Sequence, residues 1–279
     1  MKTFETTWAD KQGLQFHSRG WEPDKKPKAV VAFVHGHGEH MGRYAHVGAA
    51  FSKAGYALMG FDLRGHGKSG GARGHAPSVE ALMQDIDLLL EQVRRRYPAL
   101  PVFLYGHSIG GALVLNYGLR RKPDVKGVIA SSPALHTEPE KHPAKLMMAK
   151  VLGGLLPTVT IPTGLNTSML SHDPQVEEDY LKDPLVHDRL SLGFGKIMLE
   201  SNGWALQHAS EFSLPLLLVH GKADAIAFPA GSEEFAAAMG GRAKLVLWDN
   251  LFHETHNELE KVEVLKKSIE WMDEQLKHK

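Results

Sequence analysis

Apolar positions follow two alternating patterns along the chain. Six short runs are almost continuously apolar: AVVAFV at 29–34, YALMGF at 56–61, VFLY at 102–105, GVIAS at 127–131, LPLLLV at 214–219 and KLVLW at 244–248. Runs of this kind are strands buried on both faces. Residues 3–8 and 14–18 precede them as two opening strands. Between the runs, at 44–54, 78–97, 109–121, 230–239 and 257–277, apolar residues recur three and four apart, as in Leu82, Ile86, Leu89 and Val93. That spacing predicts amphipathic helices. The alternation predicts an α/β fold with an eight-stranded, mostly parallel sheet flanked by helices.

The pattern breaks between about 132 and 213. Pro133, Pro139, Pro143, Pro157, Pro162, Pro174 and Pro184 crowd this stretch, and KLMMAKVLGGLLP is rich in Met and Leu. No central strand is expected there. The stretch reads as a cap, 132–213, inserted between the sixth and seventh strands of a core formed by 1–131 and 214–279. Its apolar residues face either the body beneath or a greasy ligand. Leu146, Met147, Met148, Val151, Leu152, Leu155 and Leu156 are the candidates for holding such a ligand.

Composition narrows the chemistry. Across 279 residues, 32 Lys and Arg balance 32 Asp and Glu, so no basic excess is available to neutralise nucleic-acid phosphates. There is no cysteine, which excludes disulfides, thiolate metal sites and a cysteine nucleophile. The opening MKTFETTWADKQG has no secretory apolar stretch, and no run approaches the ~20 apolar residues of a membrane span. A soluble, cytoplasmic protein is expected.

YGHSIGG at 105–111 places Gly106 and Gly110 on either side of Ser108, the G-x-S-x-G spacing of a nucleophile elbow. The pattern alone is weak. Its context strengthens it, because VFLY before reads as strand and ALVLNYGLRRK after reads as helix. A serine hydroxyl needs a base, and the base needs an orienting acid. On this topology the order is serine, acid, histidine, the last two following late strands. Asp224 follows the seventh strand, and His253 and His256 follow the eighth. Asp249 is a rival acid, but its place four residues before His253 at a strand end suits turn capping better. Between the two histidines the spacing does not choose.

Three stretches imitate other sites. HGHGEH at 35–40 comes close to the H-x-H-x-D-H signature of metal-dependent hydrolases, with His35, His37, Glu39 and His40 as ligands. Those enzymes stack two sheets, whereas this chain alternates strand and helix. A glycine-bearing loop after the third strand fits another duty: an oxyanion hole built from the backbone N–H groups of His37 and Ile109. HETHN at 253–257 misses the second histidine of a zinc helix by one position, and FDLRGHGKSGG lacks phosphate-loop spacing. No metal site is expected.

HGHGEHMGRY, GFDLRGHGKSGG, GHSIGG, HGKAD and FHETHNEL, in that order over about 28–275, resemble the monoacylglycerol lipase and lysophospholipase branch of the α/β-hydrolase superfamily. The resemblance implies Ser108 as nucleophile, Asp224 as acid and His253 as base, the base following an aromatic residue, here Phe252. It also implies that Glu39, Arg43 and His256 bind the glycerol end of a substrate. The family commonly has a small residue where this chain has His37. The expected activity is hydrolysis of monoacylglycerol to glycerol and a fatty acid, without metal or organic cofactor, with transient contact to a membrane or micelle surface. Lysophospholipase, general carboxylesterase and metal-dependent hydrolase are the alternatives.

Overall fold

The computed structural model describes residues 1–137 and 143–277, apart from the side chains of 143–146, 149 and 150. Pro139 and the side chain of Leu146 therefore lie outside the described residues. Strands β1 (Lys2–Ala9), β2 (Gln15–Glu22), β3 (Ala29–Val34), β4 (Tyr56–Phe61), β5 (Val102–His107) and β6 (Gly127–Ser131) are followed by β9 (Leu216–Gly221) and β10 (Ala243–Trp248) in one sheet. Its order is β1-β2-β4-β3-β5-β6-β9-β10. Strand β2 runs antiparallel to both of its neighbours, β1 and β4, and every other pair in this sheet is parallel, as in the pairing of Val31 with Phe103 across β3 and β5.

Alternation along each strand sorts its side chains between two cores. Val30, Ala32 and Val34 of β3 belong to one core with Leu82, Ile86 and Leu89 of α2 (Val79–Arg96) and with Leu113 of α3 (Ile109–Arg121). Val31 and Phe33 belong to the other, with Phe51 of α1 (Ala45–Lys53) and Trp271 of α8 (Lys261–Gln275). Helix α7 (Pro229–Ala238) covers β9 and β10. All six residues of β3, β4, β5 and β9 are buried, which is why these strands read as unbroken apolar runs.

The chain between β6 and β9 adds no strand to the main sheet. It holds α4 (Pro143–Leu155), α5 (Pro174–Lys182), α6 (Leu192–Gln207) and a separate antiparallel pair, β7 (Thr160–Pro162) with β8 (Arg189–Ser191). Ser191 caps α6 by accepting from the N–H of Phe194 at 3.1 Å. One expectation is overturned. Met147, Met148, Val151, Leu155 and Leu156 point to solvent, with exposures of 49% to 72%, and do not line the cavity described below. Leu152 is half-buried and does not line it either. The reason is a glycine. Helix α4 approaches α6 through Gly153, where a Cβ would lie 2.5 Å from the Leu192 carbonyl oxygen, so Met147, Met148, Val151 and Leu155 are left facing outward.

Candidate active site

Strand β5 ends in a turn that the backbone can make only with small neighbours. Ser108 has φ 56° and ψ −122°, a region that strains a residue with a Cβ. A Cβ on Gly106 would sit 2.2 Å from the Gly110 carbonyl oxygen, and one on Gly110 would sit 2.2 Å from that of Val34. With both glycines the turn closes, and Ser108 stands at the N-terminus of α3 beside a cavity of about 610 Å³.

Three side chains form a chain of hydrogen bonds. Ser108 Oγ donates to His253 Nε2 at 2.9 Å, and His253 Nδ1 donates to Asp224 Oδ2 at 2.7 Å. Asp224 Oδ1 also accepts from the N–H groups of Ile226 and Ala227, at 2.8 and 3.0 Å. Burial alone would lower the pKa of His253, but the Asp224 carboxylate more than offsets this and raises it. Burial pushes the Asp224 pKa upward, and His253 and His220 outweigh it, so the carboxyl is held below its ordinary range. Asp249 lies apart at the surface, paired with Lys222 at 2.6 Å.

Sequence reasoning missed two supports. His220 Nε2 lies 3.1 Å from Asp224 Oδ2 and 2.8 Å from the Ala227 carbonyl oxygen, so this nitrogen carries the proton and faces two acceptors. Its position four residues before Asp224, in HGKAD, was the available signal. Ser132, held at φ 43°, donates its hydroxyl to the His253 carbonyl oxygen at 2.7 Å. Only the tertiary fold brings these two together.

The HGHGEH loop has its rings engaged within the protein. His35 Nε2 accepts from the Leu63 N–H and its Nδ1 donates to the Gly36 carbonyl oxygen. His40 Nε2 donates to Asp183 at 2.8 Å, and His37 Nε2 donates to the Arg189 carbonyl oxygen at 2.9 Å. Among the described residues no three His, Asp or Glu side chains are grouped to hold a metal ion. His37 and Ile109 both line the cavity beside Ser108, and no other described group takes their backbone N–H. Burial lowers the His37 pKa to about 3, leaving its ring uncharged.

Glu39 also lines the cavity, while Arg43 and His256 stand behind the lining. Glu39 Oε1 accepts from the Gly36 N–H and the Tyr44 hydroxyl, each at 2.6 Å, and Oε2 accepts from Arg43 at 2.7 Å. Burial would raise the Glu39 pKa, yet the Arg43 guanidinium, aided by the Tyr44 hydroxyl, holds it at about 2. His256 is buried between Tyr44, at a ring separation of 5.0 Å, and His107, at 4.6 Å. The rest of the wall is mostly apolar and comes from the insertion, including Ile161, Leu165, Leu190, Met198 and Leu199.

The family model described as Serine aminopeptidase, S33 matches residues 25–260. The chain belongs to this family. Its place is in the monoacylglycerol lipase branch of the α/β-hydrolase superfamily, as relatives and solved structures agree. It is 39% identical to an uncharacterised abhydrolase domain-containing protein of Dictyostelium discoideum, over 97% of this chain but 29% of that one. It is 33% identical to the monoacylglycerol lipase of Mycolicibacterium smegmatis over 96% of each chain. The crystal structure of Paleococcus ferrophilus monoacylglycerol lipase superposes with a TM-score of 0.84 at 32% identity, covering 99% of this hydrolase and 100% of that chain.

Proposed function

We propose that this hydrolase cleaves monoacylglycerol to glycerol and a free fatty acid through an acyl-enzyme. The observation that carries the reading is the Ser108–His253–Asp224 hydrogen-bond chain opening into a cavity with a mostly apolar wall and Glu39 at its polar end. Ser108 attacks the ester carbonyl as His253 takes its proton, and Asp224 fixes the imidazole tautomer and favours its cation. The N–H groups of His37 and Ile109 receive the oxyanion, each worth about 3 kcal/mol in the transition state. His253 then protonates the leaving glycerol, and water releases the acid by the reverse route. No metal or organic cofactor enters this scheme.

Residues 132–213 act as a cap over the core formed by 1–131 and 214–279. The acyl chain lies against Ile161, Leu165, Leu190 and Met198, each buried methylene contributing about 0.8 kcal/mol. Glu39 receives the glycerol hydroxyls, with Arg43 and His256 behind it fixing its position and charge. The outward Met147, Met148, Val151 and Leu155 suit transient contact with a lipid surface, and no described helix is long and apolar enough to span a membrane. The test is a panel of monoacylglycerols, lysophospholipids and nitrophenyl esters on the wild type and on Ser108→Ala. Preference for long-chain monoacylglycerol, lost in the variant, supports the reading. Equal turnover of acetyl and long-chain esters, with no preference for glycerol, contradicts it.

A further inference from the structure

The polar end of the cavity carries one more carboxylate than its cation can balance. Arg43 donates to Glu254 through two parallel bonds, Nη1 to Oε1 at 2.7 Å and Nη2 to Oε2 at 2.9 Å, while Nη1 also reaches Glu39 at 2.7 Å. Both carboxylates line the cavity and both residues are only 2% exposed. One buried guanidinium therefore stands between two buried carboxylates. The imidazoles nearby do not restore the balance, since burial lowers the pKa of His37, His107 and His187 and leaves them uncharged. His253 is matched by Asp224. Lys196, the one lysine among the lining residues, packs beside Gly153 and pairs with Glu200 at 3.6 Å.

A further group indicates that a ligand comes to this end. Tyr180, from α5, is 8% exposed and lines the cavity, and its hydroxyl has no hydrogen-bond partner among the described residues. Its ring lies against the Arg43 guanidinium at 4.9 Å. With the rest of the side chain buried, that hydroxyl is left to bond a group entering the cavity, and a substrate hydroxyl would satisfy it. A free arginine fork would bind a phosphoryl group in two parallel bonds, but here Glu254 already fills that fork.

The geometry points to Glu254 as the residue that sets alcohol specificity: by keeping this end net negative it admits uncharged polyol or cationic alcohols and rejects alcohols bearing a phosphoryl group. This deepens the monoacylglycerol reading and rests on it only for the place where the alcohol sits. A phosphoryl group would meet Glu39 and Glu254 across a poorly screened cavity, and the neutral glycerol would not. By charge, the same cluster separates monoacylglycerol from lysophosphatidate.

The test uses ether lipids that cannot be hydrolysed: 1-O-dodecylglycerol, its 3-phosphate and its 3-amino analogue, titrated calorimetrically below their micelle concentrations into the wild type and Glu254→Gln. The phosphate ether should bind the wild type at least about tenfold more weakly than the glycerol ether, and the amine at least as well as glycerol. In Glu254→Gln the gap between phosphate and glycerol should shrink by about tenfold, as Arg43 is released. Wild-type affinities for phosphate and glycerol ethers within about threefold, or an unchanged gap in a folded variant, would overturn the proposal. If the variant does not fold, the three wild-type affinities still decide. Turnover of 4-nitrophenyl dodecanoate is followed separately, so that loss of the hydrolase reading is distinguished from loss of this one.

Discussion

The ring of Phe252 stacks on the ring of His172 with centroids 3.7 Å apart and planes 21° from parallel. Phe252 directly precedes His253, and His172 belongs to the insertion, so the loop bearing the base is packed against that insertion. Glu258 ties the same two segments. Its carboxylate accepts from the N–H of Phe252 at 2.6 Å and from the N–H of His172 at 2.9 Å. Glu258→Ala should therefore lower stability by about 2–4 kcal/mol, the cost of leaving buried donors unpaired, and should reduce kcat as the His253 loop loosens. Urea unfolding and steady-state kinetics read the two effects.

His220 offers a separate check on the Asp224 carboxylate, which it touches without reaching Ser108. His220→Leu should lower kcat on the order of tenfold with KM little changed, because Asp224 is less firmly oriented and less stabilised as an anion. A change confined to KM would contradict this positioning role.

The oxyanion role we propose for position 37 rests on its backbone. His37→Ala keeps that N–H and should retain activity within about tenfold, whereas His37→Pro removes it and should cost on the order of a hundredfold or more in kcat. Single-turnover acylation by a nitrophenyl ester separates the two variants, with circular dichroism checking the fold of each.

Acidic pH should switch the enzyme off at an unusually high point. His253 works as a base only when neutral, and Asp224 raises its pKa above the ordinary 6.5. The rising limb of kcat/KM should thus have its midpoint above that value, and Asp224→Asn should move the limb to lower pH while reducing the plateau by about 10⁴. For stability the sign is opposite: a raised histidine pKa stabilises the fold at pH below its unfolded value, and the contribution disappears as pH rises through the folded pKa.

The sheet was legible because β3, β4, β5 and β9 are buried on both faces and apolar along most of their length, with His107 and His220 falling only near the ends of β5 and β9. Ser108 was legible because the turn that holds it demands glycine at 106 and 110. The insertion was less so. Its strands β7 and β8 have three residues each, too short for a period to register. The apolar composition of α4 could not tell which face meets the body, and Gly153 turns Met147 and Leu155 outward. Glu254 looked like part of a near-miss zinc motif, because its partner Arg43 lies 211 positions away in sequence.

The central claim, that Ser108 is made nucleophilic by His253, is tested most directly by labelling with an active-serine alkyl phosphonate and mapping the adduct by mass spectrometry. One equivalent on Ser108 in the wild type, none in Ser108→Ala, and labelling slowed about a thousandfold or more in His253→Ala is the expected result. Labelling of His253→Ala at the wild-type rate, or monoacylglycerol hydrolysis undiminished in Ser108→Ala, would contradict it.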